Sequence, residues 1–154
     1  MDTQQEVINL LNDLLEENCD SKQGYQKAAE HIDSPDLKGL FMSLSSQREN
    51  FKKSIREEIH LLGREPIYCG EIAGPIQEAF SSPDLLLLLD TVEQTLKGCL
   101  SLEMKHLNFF RQMLSGNEFE IWTRNLIVGQ CENIKLNLHD AERTLNREEH
   151  LLSV

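Results

Sequence analysis

One helical register in this chain carries a carboxylate and an imidazole at a spacing that can hold a metal. Glu103 and His106 stand three residues apart, one turn along a helix and on the same face. Glu-x-x-His at i, i+3 is a spacing through which helical bundles ligate divalent transition metals. Plotted at about 100° per residue, Leu85, Leu89, Val92, Leu96, Leu100, Leu107, Phe110 and Leu114 fall in one narrow sector, with Glu103 in its middle and His106 at its edge. An acid on the oily side of a helix needs a metal or a cationic partner. A second match, Glu57 with His60, plots roughly 140 to 160° away from the apolar sector of its own helix, so that pair is expected to face water.

Four amphipathic segments must position these groups. The apolar periodicity predicts helices over about 3–32, 36–62, 84–114 and 118–146. The first has the seam Val7, Leu11, Leu14, Leu15, Asn18, Lys22, Tyr25, Ala29, Ile32, and the second Leu37, Phe41, Leu44, Arg48, Phe51, Ile55, Ile59, Leu62. Asp33-Ser34-Pro35-Asp36 stops one helix and caps the next. The fourth has the seam Phe119, Thr123, Leu126, Ile127, Gln130, Ile134, Leu138, Ala141, Leu145, and the closing REEHLLSV is left without structure. Between the second and third segments, Gly63 to Pro83 breaks the pattern with glycines and prolines. Extended at about 3.3 Å per residue it would reach about 70 Å, enough to run the length of helices measuring roughly 45 Å. The expected architecture is a single all-α domain, a four-helix bundle with one long crossover between helices two and three.

Four polar residues interrupt the seams near mid-helix: Asn18, Arg48, Glu103 and Gln130. Arg48 keeps its charge in any environment and is the partner a buried Glu103 needs. A layer with one acid, one guanidinium and two amides repels a pair of divalent ions, so no cofactor is expected. The alternative is iron or another divalent metal on Glu103 and His106. It needs further inward acids, for which Glu58 and Glu93 at the seam edges are the donors.

The chain resembles the bacterial ferritin-like four-helix bundles of unknown function. The likeness is carried by LNDLLEENCDSKQGYQKAAE in the first helix, with its Leu-Asn-Asp-Leu opening, Asn18 and Asp20, and Gly24-Tyr25, and by His139-Asp140 in the fourth. The resemblance implies a ferritin-like fold. Iron-binding members of the wider group use a Glu from each of two helices and Glu-x-x-His from each of the other two. Here the fourth helix has no inward Glu-x-x-His, and His139 plots on its outer face.

Composition narrows the function. A net charge of -11 repels phosphate backbones and anionic lipid, so neither nucleic acid nor a membrane surface is an expected partner. The acidic opening MDTQQEV has no basic stretch leading into an apolar one, and the longest apolar run is Leu85 to Leu89. Cys19, Cys69, Cys99 and Cys131 form no Cys-x-x-Cys pair, and are expected as reduced, buried residues in a cytoplasmic protein. His31, His60, His106, His139 and His150 are dispersed, with no nucleophile elbow or phosphate loop, which argues against an enzyme. Finally, Leu102, Phe109, Ile121, Trp122 and Leu136 plot away from their seams. This second apolar side needs a cover, either the Gly63–Pro83 connection, through Ile67, Tyr68, Ile72, Ile76 and Phe80, or a second protein surface. The sequence therefore points to a non-catalytic bundle that self-associates, as in a homodimer, or docks with another protein.

Overall fold

Each helix forms where apolar residues recur at the 3.6-residue period. A computed structural model of the chain describes residues 3–69, 74, 77–78 and 91–152, with side chains as far as residue 147. The helices are α1 (Thr3–His31), α2 (Pro35–Leu61), α3 (Val92–Gly116) and α4 (Ile121–Leu152). The chain divides into two compact units, residues 1–82 with α1 and α2, and residues 83–154 with α3 and α4.

In the first unit the corner is set by Ser34, whose side chain accepts from the Leu37 amide, and by Pro35 in the first turn of α2. The two helices then run antiparallel in a steady register. The Tyr25 and Phe41 rings lie 5.6 Å apart, the Ser45 hydroxyl donates to the Lys22 carbonyl at 2.9 Å, and Gln4 Nε2 donates to the Leu62 carbonyl at 2.8 Å. Leu11, Leu14, Leu15, Phe41, Ile55 and Ile59 are fully buried. Gly63, at φ 82°, ends α2. Its amide reaches the His60 carbonyl and the Arg64 amide reaches that of Ile59, a Schellman pair that needs the left-handed conformation glycine adopts without strain.

The connection then retraces α1 in the direction of that helix. The Ile67 amide donates to Asn12 Oδ1 at 3.1 Å, Cys69 is joined to Cys19, and the Gln77 amide donates to Asp20 Oδ1 at 3.0 Å. Gln77 Nε2 also donates to Gln23 Oε1. Gly74 passes so close to Asp20 that a Cβ would stand 2.5 Å from its Cγ. From the level of Gln4 to that of Gln23 the climb is about 28 Å at 1.5 Å per residue.

The described part of the connection is held by α1; Tyr68 in it is 83% exposed, and Ile72, Ile76 and Phe80 lie outside the described residues. The structure corrects the expectation of four reduced cysteines. Cys19 and Cys69 form a disulfide with Cα atoms 6.3 Å apart, which removes the reduced-thiol argument for a cytoplasmic protein. Fifty residues separate them in sequence, and only the path of the connection brings them together.

In the second unit α3 begins later than expected. Thr91 is extended, at φ -117° and ψ 155°, and its side chain accepts from the Gln94 amide, so it caps a helix that starts at Val92. The predicted stretch 84–90 lies outside the described residues. At the far end Asn117 Nδ2 donates to the Met113 carbonyl at 3.0 Å, four non-helical residues follow, and α4 returns. It starts at Ile121 and runs to Leu152, so REEHLLSV is helical through Leu152 instead of unstructured. Leu96, Leu107, Phe110, Ile127, Ile134 and Leu138 form this unit's apolar core. Among the described residues no helix is long and apolar enough to cross a membrane.

Candidate functional site

Each unit buries polar side chains that a helical pair would ordinarily exclude. In the first, Asn18 and Arg48 are both at 0% exposure. Asn18 Nδ2 donates to the Leu14 carbonyl at 2.9 Å, a bond back to the preceding turn that leaves its Oδ1 without a hydrogen bond among the described residues. The Arg48 guanidinium carbon lies 5.7 Å from the Tyr25 ring centre and 5.6 Å from that of Phe51, both within cation–π range. Its Nη1 also donates to Gln47 Oε1. Two aromatic rings and one amide oxygen of its own pair of helices thus stand beside the guanidinium. Burial pushes the Glu17 carboxyl above its ordinary range, the charge of Asp20 adds to the rise, and the charge of Arg48 opposes it.

In the second unit, Glu103 is at 0% exposure, His106 at 1% and Gln130 at 5%. His106, expected at the seam edge, is as buried as the core leucines. Its ring stacks on Phe110 with centres 5.1 Å apart and planes 27° apart. Asn137 Nδ2 donates to Glu103 Oε2 at 3.1 Å, which ties the acid of α3 to α4. Sequence reasoning missed Asn137, because it lies beside the α4 seam and is only half-buried. Its polar type gave no signal apart from its distance to Glu103.

The remaining candidates are on outer faces. Glu57 and His60 are exposed, as is His139, and Nδ1 of His60 is 3.8 Å from Glu65. Glu58 is half-buried, and half-buried Glu93 pairs with Lys97 at 2.8 Å. Of the second apolar side, Leu102 and Phe109 are half-buried, whereas Ile121, Trp122 and Leu136 are 66%, 76% and 61% exposed. Burial pushes the Cys131 thiol up, so it is a poor nucleophile at neutral pH.

Residues 6–116 match the family described as a domain of unknown function, DUF2383. The comparison with curated proteins finds none that matches. Among solved structures, a mutant of Dps1 from Mycobacterium smegmatis is similar at a TM-score of 0.73 and 13% identity, covering 93% of this chain and 97% of that one. A conserved hypothetical protein from Mycobacterium tuberculosis is similar at a TM-score of 0.68 and 12% identity, covering 93% of each chain. At such identities the likeness shows the fold alone: an all-α, ferritin-like four-helix bundle with a long connection between α2 and α3.

A ferritin-like bundle raises the question of a di-metal centre, and the donor set here does not fit one. Such a centre draws a carboxylate from every helix. The buried polar side chains of this chain include an amide on α1, a guanidinium on α2, and an amide on α4 at Gln130. Among the described residues only α3 offers a buried acid with a histidine, and that acid already accepts from Asn137. Among the described residues no three His, Cys, Asp or Glu side chains are grouped to hold an ion.

Proposed function

The chain belongs to the DUF2383 family, and on that premise we propose that it is a non-catalytic ferritin-like bundle whose work is self-association. The observation that carries this reading is the group Ile121, Trp122 and Leu136, 66%, 76% and 61% exposed on one helix whose inner positions Ile127, Ile134 and Leu138 are buried. A tryptophan open to water over most of its surface forgoes about 1.5–3 kcal/mol of burial, and aromatic residues in that state are enriched at protein–protein contacts. The polar positions support the non-catalytic half. In this reading Asn18 and Arg48 in the first unit, and Glu103 and Gln130 in the second, are buried polar groups that fix helix register within each pair.

Multi-angle light scattering of the full chain over a hundredfold concentration range tests the first half: a mass of two chains is expected, and a strict monomer at the highest concentration ends it. Elemental analysis after purification without chelators tests the second. The rival reading, iron or another divalent metal on Glu103 and His106, draws on both being fully buried on one face of α3. Stoichiometric metal that disappears in Glu103→Ala would establish that rival.

A further inference from the structure

Resting on the self-association reading, we propose the partner and the geometry: a second copy of this chain, packed antiparallel α4 against α4 about a two-fold axis at Gly129. The exposed face of α4 is self-complementary about that residue. Trp122 and Leu136 stand seven residues before and seven after it, and seven residues are nearly two whole turns, so all three lie within about 20° of one line along the helix. Gly129 is exposed, and a Cβ there would meet nothing within 4 Å. The face is therefore a large apolar knob, a bare backbone notch and a second apolar knob, spaced about 10 Å apart.

A two-fold axis through the notch turns one helix end for end, and each contact then occurs twice. Trp122 of one copy falls at the height of Leu136 of the other. The facing glycines let the backbones approach closely, as a side chain would not. On one flank exposed Asn125 falls beside Glu132 of the second copy, an amide donor against a carboxylate. Glu132 is also paired with Lys135 of its own helix at 2.9 Å, so this flank sets no unpaired carboxylate against another. Among antiparallel registers a shift by one turn either way sets Trp122 opposite an amide or a charged residue.

Three variants, followed by light scattering and sedimentation, test this. Gly129→Leu has open space in the single chain and improves helix propensity, so its thermal stability at low concentration is expected to hold or rise while dimer affinity falls at least tenfold. Trp122→Glu and Leu136→Lys are each expected to be monomeric at concentrations where the parent chain is dimeric. Mixed in equal amounts, they are expected to recover a dimer, because one contact then sets the introduced glutamate against the introduced lysine while the other keeps Trp122 on Leu136. Failure of the mixture to associate overturns the register. Parent-like dimers from both single variants and from Gly129→Leu overturn the face while leaving self-association itself intact, and a parent chain that stays monomeric overturns both.

Discussion

At the scale of single residues, the chemistry of the first unit is a contest between burial and charge. Glu17 illustrates it: unfolded it titrates near 4.5, and folded it keeps its proton to higher pH because burial disfavours the anion more than Arg48 favours it. The native state therefore binds more protons over that interval, so stability falls as pH rises through it, and the penalty is complete above the folded value. Glu17→Gln is expected to raise the urea midpoint at pH 7 and leave it near the parent's at about pH 3.5. An equal gain at both pH values would refute the assignment. Glu49 runs the other way. Burial pushes its carboxyl up, but the Lys52 hydrogen bond and the charges of Lys52, Lys22 and Lys53 outweigh that and hold it below its usual value. Its contribution is present above pH 4.5, is lost as pH falls through the folded value, and is small because the side chain is 32% exposed. The buried Arg48 and Glu103 were legible in the sequence because a charged residue stands out within an apolar seam. Asn137 and the Cys19–Cys69 bond were not, since each depends on a distance between segments more than thirty residues apart.

At the scale of elements, periodicity located the helices and local hydrogen bonds set their ends. Phe41, Leu44, Phe51, Ile55 and Ile59 of the α2 seam are all buried, as a repeating apolar face requires. The start of α3 escaped because the seam extrapolates smoothly back through Leu89 and Leu85, while Thr91 breaks the backbone to satisfy the Gln94 amide. Replacing it tests that boundary: Thr91→Ala is expected to cost about 1 kcal/mol, read from urea denaturation, as the loss of an N-cap does. No change would place the helix start upstream. The far end of α4 escaped for the opposite reason. Arg, Glu and Leu propagate a helix well by intrinsic preference, so it continues to Leu152 after the apolar seam has ended at Leu145.

At the scale of the whole chain, the sequence held the four long helices of the described residues, the order of long and short connections, and room for a crossover. It did not hold the path, along which side chains of α1 reach the backbone at Ile67 and at Gln77. The disulfide closes a loop of fifty residues within the first unit, and a cross-link over that span is worth about 4 kcal/mol in the chain-entropy account. Adding reductant, or Cys69→Ser, is expected to lower the stability of that unit by about 2–4 kcal/mol in urea. Identical curves with and without reductant would show that the two sulfurs are not joined in solution. The same bond makes the history of the molecule matter. Cys99 and Cys131 are buried once α3 and α4 have formed, so oxidation after folding finds one compatible thiol pair and yields a uniform product. Oxidation of the extended polypeptide offers every thiol to every other and traps scrambled isomers, so the yield of the native species depends on whether collapse precedes the oxidant.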